Sequence, residues 1–266
     1  MARGSGKRSP RVRLFDSARE ASRAAAEAIA LLLLQRSSAT LVLASGKTMV
    51  PVYRELVRLH REGHAPFSKA STFNLDELAI APSDPRSFRT FMDRHLFSKV
   101  DLPSRRVHFL RGDARDPVAE CARYEAELAR FGPPDLALAG IGVNGHVAYL
   151  EPGAELAPVT SRVSLSAATR RALESDGIVP APRAALTMGI ETILAARAIL
   201  LVATGRGKRD VVAAALEGPV TPACPASILR RHSDLTVMLD RAAAEKLKAG
   251  RGGRETGNGK RETTGT

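Results

Sequence analysis

Short uncharged apolar runs recur along the chain, several followed by a glycine-bearing polar loop and most by a segment of helical period. Residues 40–44, 70–75, 107–110, 136–139, 185–188, 199–203 and 235–239 are such runs, with little alternation of apolar and polar positions. That marks them as strands buried on both faces. Between them lie amphipathic stretches with the 3.6-residue period of a helix, at 52–61, 91–97, 117–131, 167–174, 190–196 and 210–216. A long Ala/Leu-rich helix precedes the first run, ending near Gln35, with Asp16-Ser17 and Glu20 spaced as a capping box. A short helix at 225–231 and a last one at 241–248 complete the pattern. There is no internal repeat. Alternating strand and helix predicts an α/β fold: a single-domain, open, mostly parallel twisted sheet with helices on both faces, Rossmann-like in layout.

Composition alters this picture chiefly at the ends. The formal charge of +12 over 266 residues suggests a polyanion partner. Much of it, however, lies in a Gly/Ser/Pro-containing head with Arg3, Lys7, Arg8 and Arg11, and in a Gly/Thr-rich tail with Arg251, Arg254, Lys260 and Arg261. The expected organisation is therefore a basic disordered arm at 1–13, one domain at 14–248 and a basic disordered tail at 249–266. Aromatics make up 4% of the chain and Trp is absent, which leaves little for base stacking, so no specific nucleic-acid partner is expected. The two cysteines, Cys121 and Cys224, form neither a CxxC pair nor a Cys/His cluster, so no disulfide framework and no metal site is expected. The apolar stretch 24–34 is interrupted by Glu27 and is too short to span a bilayer, and the head lacks a secretory signal pattern. A cytoplasmic protein without membrane contact is expected.

The candidate chemistry sits in the loops after the strands. The run at 136–139 feeds Gly140, Gly142 and Gly145, a loop that carries His146, with Glu151 before Pro152. A histidine on a glycine-rich loop at a strand end is placed for acid–base work in an open α/β sheet. Ser45-Gly46-Lys47-Thr48 joins a strand to a helix and offers backbone N–H groups to a phosphate. It is not an ATP-binding P-loop, because the required earlier glycine falls on Leu41, inside the strand. Lys208, in Gly205-Arg206-Gly207-Lys208, can reach an anion as a point charge. Asp76-Glu77 stand at the end of another strand, as solvated loop charges or as a general base beside a sugar.

With these stretches in order, residues 14–246 resemble the glucosamine-6-phosphate deaminases, within the larger group that holds the 6-phosphogluconolactonases. The resemblance rests on Ala44-Ser45-Gly46-Lys47-Thr48, on Thr72-Phe73-Asn74-Leu75-Asp76-Glu77 and on Gly140-Ile141-Gly142-Val143-Asn144-Gly145-His146 through Glu151-Pro152-Gly153. Ala185-Leu186-Thr187-Met188-Gly189, Gly205-Arg206-Gly207-Lys208 and Pro225-Ala226-Ser227 extend it. It implies conversion of glucosamine 6-phosphate and water to fructose 6-phosphate and ammonia, with a small-molecule sugar phosphate as partner and no metal or organic cofactor. It implies that Asp76 moves the proton between C2 and C1, and that His146 opens the ring. Glu151 and Asn144 would orient that histidine, with the carboxylate raising its pKa. Ser45, Gly46, Lys47, Thr48 and Lys208 would hold the 6-phosphate. A homo-oligomer is compatible with this reading.

The chain departs from the family pattern in places. Lys47 replaces a small residue, Leu78 stands where a tyrosine is usual, and the phosphate-binding arginine near 170–175 has Arg170 or Arg171 as its substitutes. Glu155, Ser161 and Val163 do not match the allosteric site of some members, so activation by N-acetylglucosamine 6-phosphate is not expected. The alternatives are a 6-phosphogluconolactonase and a non-catalytic sugar-phosphate sensor. The first would carry Asp-Glu-Arg and Thr-Ala-Ser-Leu-Phe-Pro where this chain has Asp76-Glu77-Leu78 and residues 147–152. The second would need a DNA-binding helix-turn-helix, for which the residues before Leu14 are too few.

Overall fold

A computed structural model describes residues 9–153 and 155–248. Seven strands form one parallel sheet in the order β1-β10-β9-β6-β2-β3-β5. They are β1 (Arg11–Phe15), β2 (Thr40–Leu43), β3 (Ser71–Asn74), β5 (Val107–His108), β6 (Leu136–Gly140), β9 (Ile199–Ala203) and β10 (Leu235–Asp240). Every residue of β2 and β9 is buried, which accounts for their unbroken apolar sequences. The edge strand β1 is largely exposed.

The helices are α1 (Ala18–Gln35), α2 (Val50–Arg61), α3 (Phe88–His95), α4 (Pro117–Phe131), α5 (Ala167–Ser175), α6 (Ile190–Leu194) and α7 (Arg209–Glu217). Helix α1 starts as its capping box predicts: Ser17 Oγ accepts from Glu20 N at 3.2 Å, and Glu20 Oε2 accepts from Asp16 N at 3.0 Å. It presses Ala21, Ala25, Ile29 and Leu33 into the core and packs against α2 and β10. Right-handed crossovers place α1 and α2 on one face of the sheet and α4 and α7 on the other.

Three features depart from the sequence reading. A second, antiparallel sheet of β4 (Asp76–Leu78), β8 (Ala184–Thr187) and β7 (Ser161–Ser164) stands beside the first. Asp76-Glu77 is thus a strand of its own, held by pairing with β8, rather than the tail of β3. The last helix does not form, and residues 241–246 make successive turns. The main sheet begins at Arg11, paired with Thr236, so it starts ahead of the expected domain boundary at 14. Of the disordered arms expected at 1–13 and 249–266, residues 1–8 and 249–266 lie outside the described residues.

From β2 the chain crosses right to β3, while from the adjacent β6 it crosses left to β9. Two neighbouring strands whose connections leave in opposite directions open a crevice at their C-terminal ends, which is where open α/β sheets bind ligands.

Candidate active site

The four strands β9, β6, β2 and β3 are neighbours in that order. The loops after β9, β6 and β2 carry Lys208, His146 and Ser45 to Thr48 respectively, and β3 is followed, after Leu75, by β4, which begins with Asp76. Residues far apart in sequence are thereby brought to one edge, centred on the switch between β6 and β2.

After β2 the chain turns at Gly46, whose φ of 110° is open to glycine and strained for other residues. One 3-10 turn at Lys47–Met49 then leads into α2. Tyr53, fully buried on α2, donates its hydroxyl to Ala44 O and fixes the loop from beneath. Ser45 Oγ accepts from Asn74 Nδ2 at 3.4 Å, tying this loop to the end of β3. Lys47 Nζ lies 2.7 Å from Asp176 Oδ1 and 3.3 Å from Ser175 O, so the C-terminal end of α5 reaches over to the loop. Thr48 is partly buried. Lys208 donates to Ile141 O at 2.7 Å, joining the β9 loop to the β6 loop. Burial pushes its ammonium pKa down, and Asp176 opposes that.

The end of β3 is prised from its neighbour β5 by Tyr124 of α4. Its hydroxyl accepts from Asn74 N at 2.8 Å and donates to Asn74 O at 2.7 Å, in place of strand partners. The chain then enters β4, where Asp76 and Glu77 part company. Glu77, fully buried, accepts from the N–H groups of Leu78, Phe88 and Arg89 at 2.8, 2.8 and 2.9 Å. It therefore closes the N-terminus of α3. Asp76 is 7% exposed and takes no hydrogen bond from a described residue. Burial, helped by the neighbouring Glu77 charge, pushes its pKa up to about 8. Glu77 is raised to about 7 by burial, against the pull of its three N–H donors.

The β6 loop folds tightly: Gly142 N donates to His146 O at 2.8 Å, and Gly145 N donates to Gly142 O at 3.0 Å. The imidazole lies directly over Gly142, where an added Cβ would stand 2.3 Å from its Cε1 and Nε2. Ala148, at φ 49°, is the one non-glycine with positive φ among the described residues, and it turns the chain between His146 and Tyr149. Asn144 works in two directions. Its Oδ1 accepts from His146 N at 3.2 Å, and its Nδ2 donates to Glu151 Oε2 at 3.1 Å. Glu151 also accepts from Ser166 N at 3.4 Å and Ser166 Oγ at 3.3 Å. Ser166 in turn caps α5.

The structure modifies one expectation here. Asn144, braced by Glu151, holds the backbone of His146, while the ring's Nδ1 is buried with no hydrogen-bond partner among the described residues. Its pKa is pushed down to about 4, because burial outweighs the attraction of Glu151 and Lys208 adds to the fall. The free protein carries a neutral imidazole at pH 7, not the raised one expected from a carboxylate neighbour.

All the sequence-selected residues thus fall at this edge. Arg170 is partly buried and Arg171 exposed on α5, and neither side chain makes an ion pair or hydrogen bond with a described residue. Sequence reasoning missed Asp176, Ser166, Tyr124 and Asn74. Only Ser166 carried a signal, as an N-cap three residues before Thr169. Among the described residues no cluster of His, Cys, Asp and Glu has the makings of a metal site. No described helix is long and apolar enough to cross a membrane. Two concavities, of about 500 and 1,100 Å3, lie elsewhere and contain none of these residues. The strand ends identify the site more securely than concavity does, since the sheet's switch point is set by topology.

Comparison with known proteins agrees with this layout. The family described as glucosamine-6-phosphate isomerases/6-phosphogluconolactonase matches residues 15–238. A glucosamine-6-phosphate deaminase 1 of Giardia intestinalis is 42% identical over 227 residues, 83% of this chain and 84% of the relative. A glucosamine-6-phosphate deaminase 1 of Bacillus subtilis is 41% identical over 230 residues, 85% and 94% of the two chains. The solved structure of a monomeric glucosamine-6-phosphate deaminase superposes with a TM-score of 0.85 at 38% identity, covering 88% of this chain and 99% of the other. A 6-phosphogluconolactonase from Trypanosoma brucei shares the fold at a TM-score of 0.70 and 23% identity, covering 90% and 98%.

Proposed function

The chain belongs to the family of glucosamine-6-phosphate isomerases and 6-phosphogluconolactonases, and within it we propose that it acts as a glucosamine-6-phosphate deaminase. The observation that carries this reading is the alignment of a cation, a histidine, a phosphate-type loop and an unbonded buried carboxylate on four successive strand ends. The deaminase relatives, near 40% identity, support the same choice.

In this reading the 6-phosphate rests on the Ser45 to Thr48 loop at the start of α2, with Lys47 and Lys208 as charge partners. Lys47 leaves Asp176 to do so. Anchoring the far end of the sugar fixes C1 and C2 relative to the reacting groups. His146, neutral and with a free buried Nδ1, accepts the proton of the anomeric hydroxyl and returns one to the ring oxygen, which opens the pyranose. Asn144 and Glu151 hold the loop that presents it. Asp76 removes the C2 proton of the open aldehyde form and delivers it to C1, while the aldehyde oxygen takes up a proton that the amino group gives up and becomes the C1 hydroxyl. The double bond then lies between C2 and nitrogen. Water adds at C2, and ammonia leaves to give the ketose. Desolvation makes Asp76 a stronger base than an exposed aspartate, suited to a weakly acidic C–H. Glu77, locked to α3, takes no part in the proton transfer.

The test is to offer the purified protein glucosamine 6-phosphate and, separately, 6-phosphogluconolactone. Ammonia and fructose 6-phosphate from the first, without acid release from the second, is the expected result. Lactone hydrolysis alone would overturn the reading and remove Glu151 from its role.

A further inference from the structure

Between α1, α2 and α3, away from the active-site edge, lies a groove of about 1,100 Å3. Its lining carries Arg19, Arg23, Arg54, Arg58, Arg61 and Lys99 against two carboxylates, Glu55 and Glu62. Those carboxylates are already engaged. Arg58 binds Glu55 at 2.6 Å and Glu62 at 2.5 Å, and Arg23 stands 3.8 Å from Glu55 and 2.8 Å from Glu27. The side chains of Arg54, Arg61 and Lys99 make no ion pair or hydrogen bond with any described residue, and Arg19 only adds to the field at Glu55, which Arg58 and Arg23 already share. Cations without a partner of their own among the described residues therefore converge on one concavity from α1, α2 and the turn after α3. The field they create acts on His95 in the same groove: its pKa is lowered first by burial and then by Lys99, Arg94 and Arg54.

Scattered surface arginines are ordinary, but a recess with apolar walls concentrates their field. Here the walls are Ala18, Val50, Pro51 and Val57. Arg54, Arg58 and Arg61 share one face of α2, and the row from the first to the last spans roughly 10 Å at the helical rise of about 1.5 Å per residue. That is longer than a single phosphate. No Phe, Tyr or Trp lines the groove, so a base would find no stacking platform. We propose that this groove binds an oligophosphate of three or more phosphates, carried by a nucleoside triphosphate or by inorganic polyphosphate, and recognised through its phosphates alone. Val50 and Pro51 open α2 directly after the 3-10 turn of the Ser45 to Thr48 loop, so this second anion site shares a helix with the first.

The test uses the full-length protein, with calorimetric titration of sodium tripolyphosphate and of ATP at about 0.15 M salt, where exposed charges are screened beyond about 8 Å. Saturable binding is expected, weakened roughly tenfold or more by the double charge reversal Arg54→Glu/Arg61→Glu, as juxtaposed like charges require. Both positions are exposed, so the variant should keep the wild-type circular dichroism and turnover. Equal affinity of tripolyphosphate and ATP assigns recognition to the phosphates; clear preference for ATP overturns the phosphate-only reading. A second variant replaces Arg251, Arg254, Lys260 and Arg261 by serine and should bind as the wild type does. The proposal fails if that variant loses binding while the groove variant keeps it, or if fructose 6-phosphate competes. It also fails if binding vanishes at 0.15 M salt, or if a single-stranded RNA binds more tightly than tripolyphosphate.

Discussion

Replacing Asp76 with Asn should slow the enzyme and, above neutral pH, stabilise it. The carboxyl is 7% exposed, accepts no hydrogen bond from a described residue and has its pKa pushed up to about 8, first by burial and then by Glu77. In the unfolded chain an aspartate titrates near 3.9. Between these two values the folded protein retains a proton that the unfolded chain has released. Stability therefore falls as pH rises through that window and is highest at its acid end. At about 1.4 kcal/mol per pH unit, less the rounding of the curve near pH 8, wild type should lose about 3.6 kcal/mol between pH 5 and pH 8 from this group alone. Asparagine has no charge to desolvate and should lack the slope. Relative to wild type, the variant should gain about 3.6 kcal/mol over the same interval, which for a domain of this size is roughly 7–14 °C in Tm. Urea unfolding at pH 5 and pH 8, followed by far-UV circular dichroism, measures it. Turnover should fall by about 10² to 10⁴, the usual worth of a general base, with KM for glucosamine 6-phosphate little changed. In the wild type, kcat/KM should climb roughly tenfold from pH 7 to pH 9 as Asp76 ionises. Parallel stability of the two proteins from pH 5 to pH 8, or turnover within tenfold of wild type, would refute the assignment of a desolvated base.

Gly142→Ala should leave urea stability within about 1 kcal/mol, because the His146 ring that its Cβ would strike can rotate away. It should nevertheless cut kcat about 10²-fold through the misplaced imidazole; normal turnover would show that the ring's position over Gly142 is not required. Lys47→Ser should raise KM for glucosamine 6-phosphate roughly tenfold, the worth of one charge-assisted contact. Its exposed pair with Asp176 is worth under about 1 kcal/mol, so the melting curve should barely move, and an unchanged KM would leave the phosphate to other groups. Glu77→Gln turns an amide nitrogen toward a backbone N–H of α3 or of Leu78 and should cost about 2–3 kcal/mol in urea unfolding while kcat stays within a few-fold. A variant as stable as wild type but inactive would exchange the roles of Glu77 and Asp76.

Much of the molecule was legible in the order of its residues. The runs at 40–43, 136–140 and 199–203 are apolar throughout because both faces of those strands are covered, so burial alone marked them as central. The helix at 18–35 announced its start through Ser17 and Glu20, a local contact that needs no tertiary partner. The glycine-bearing loops at 45–48, 140–146 and 205–208 were visible for the same reason, since a tight turn at a strand end requires particular residues nearby in sequence. The second sheet was not visible. Asp76-Glu77-Leu78 has no strand propensity, and it is a strand only because β8, over 100 residues later, offers it hydrogen bonds.

What the sequence determined by itself was the central strands of the main sheet, most of the helices, the loops that carry chemistry and the residue types held there, all consequences of local geometry and periodicity. Three things were left to the tertiary structure. One was the order β9-β6-β2-β3, which gathers Lys208, His146, Ser45 and Asp76 at one edge. Another was the division of labour between adjacent carboxylates: Glu77 meets the N-terminus of α3, while Asp76 meets only desolvation. The last was the charge of His146, where burial overrides the nearby Glu151. Desolvation and long-range pairing depend on what surrounds a group in space, and no spacing along the chain encodes that directly.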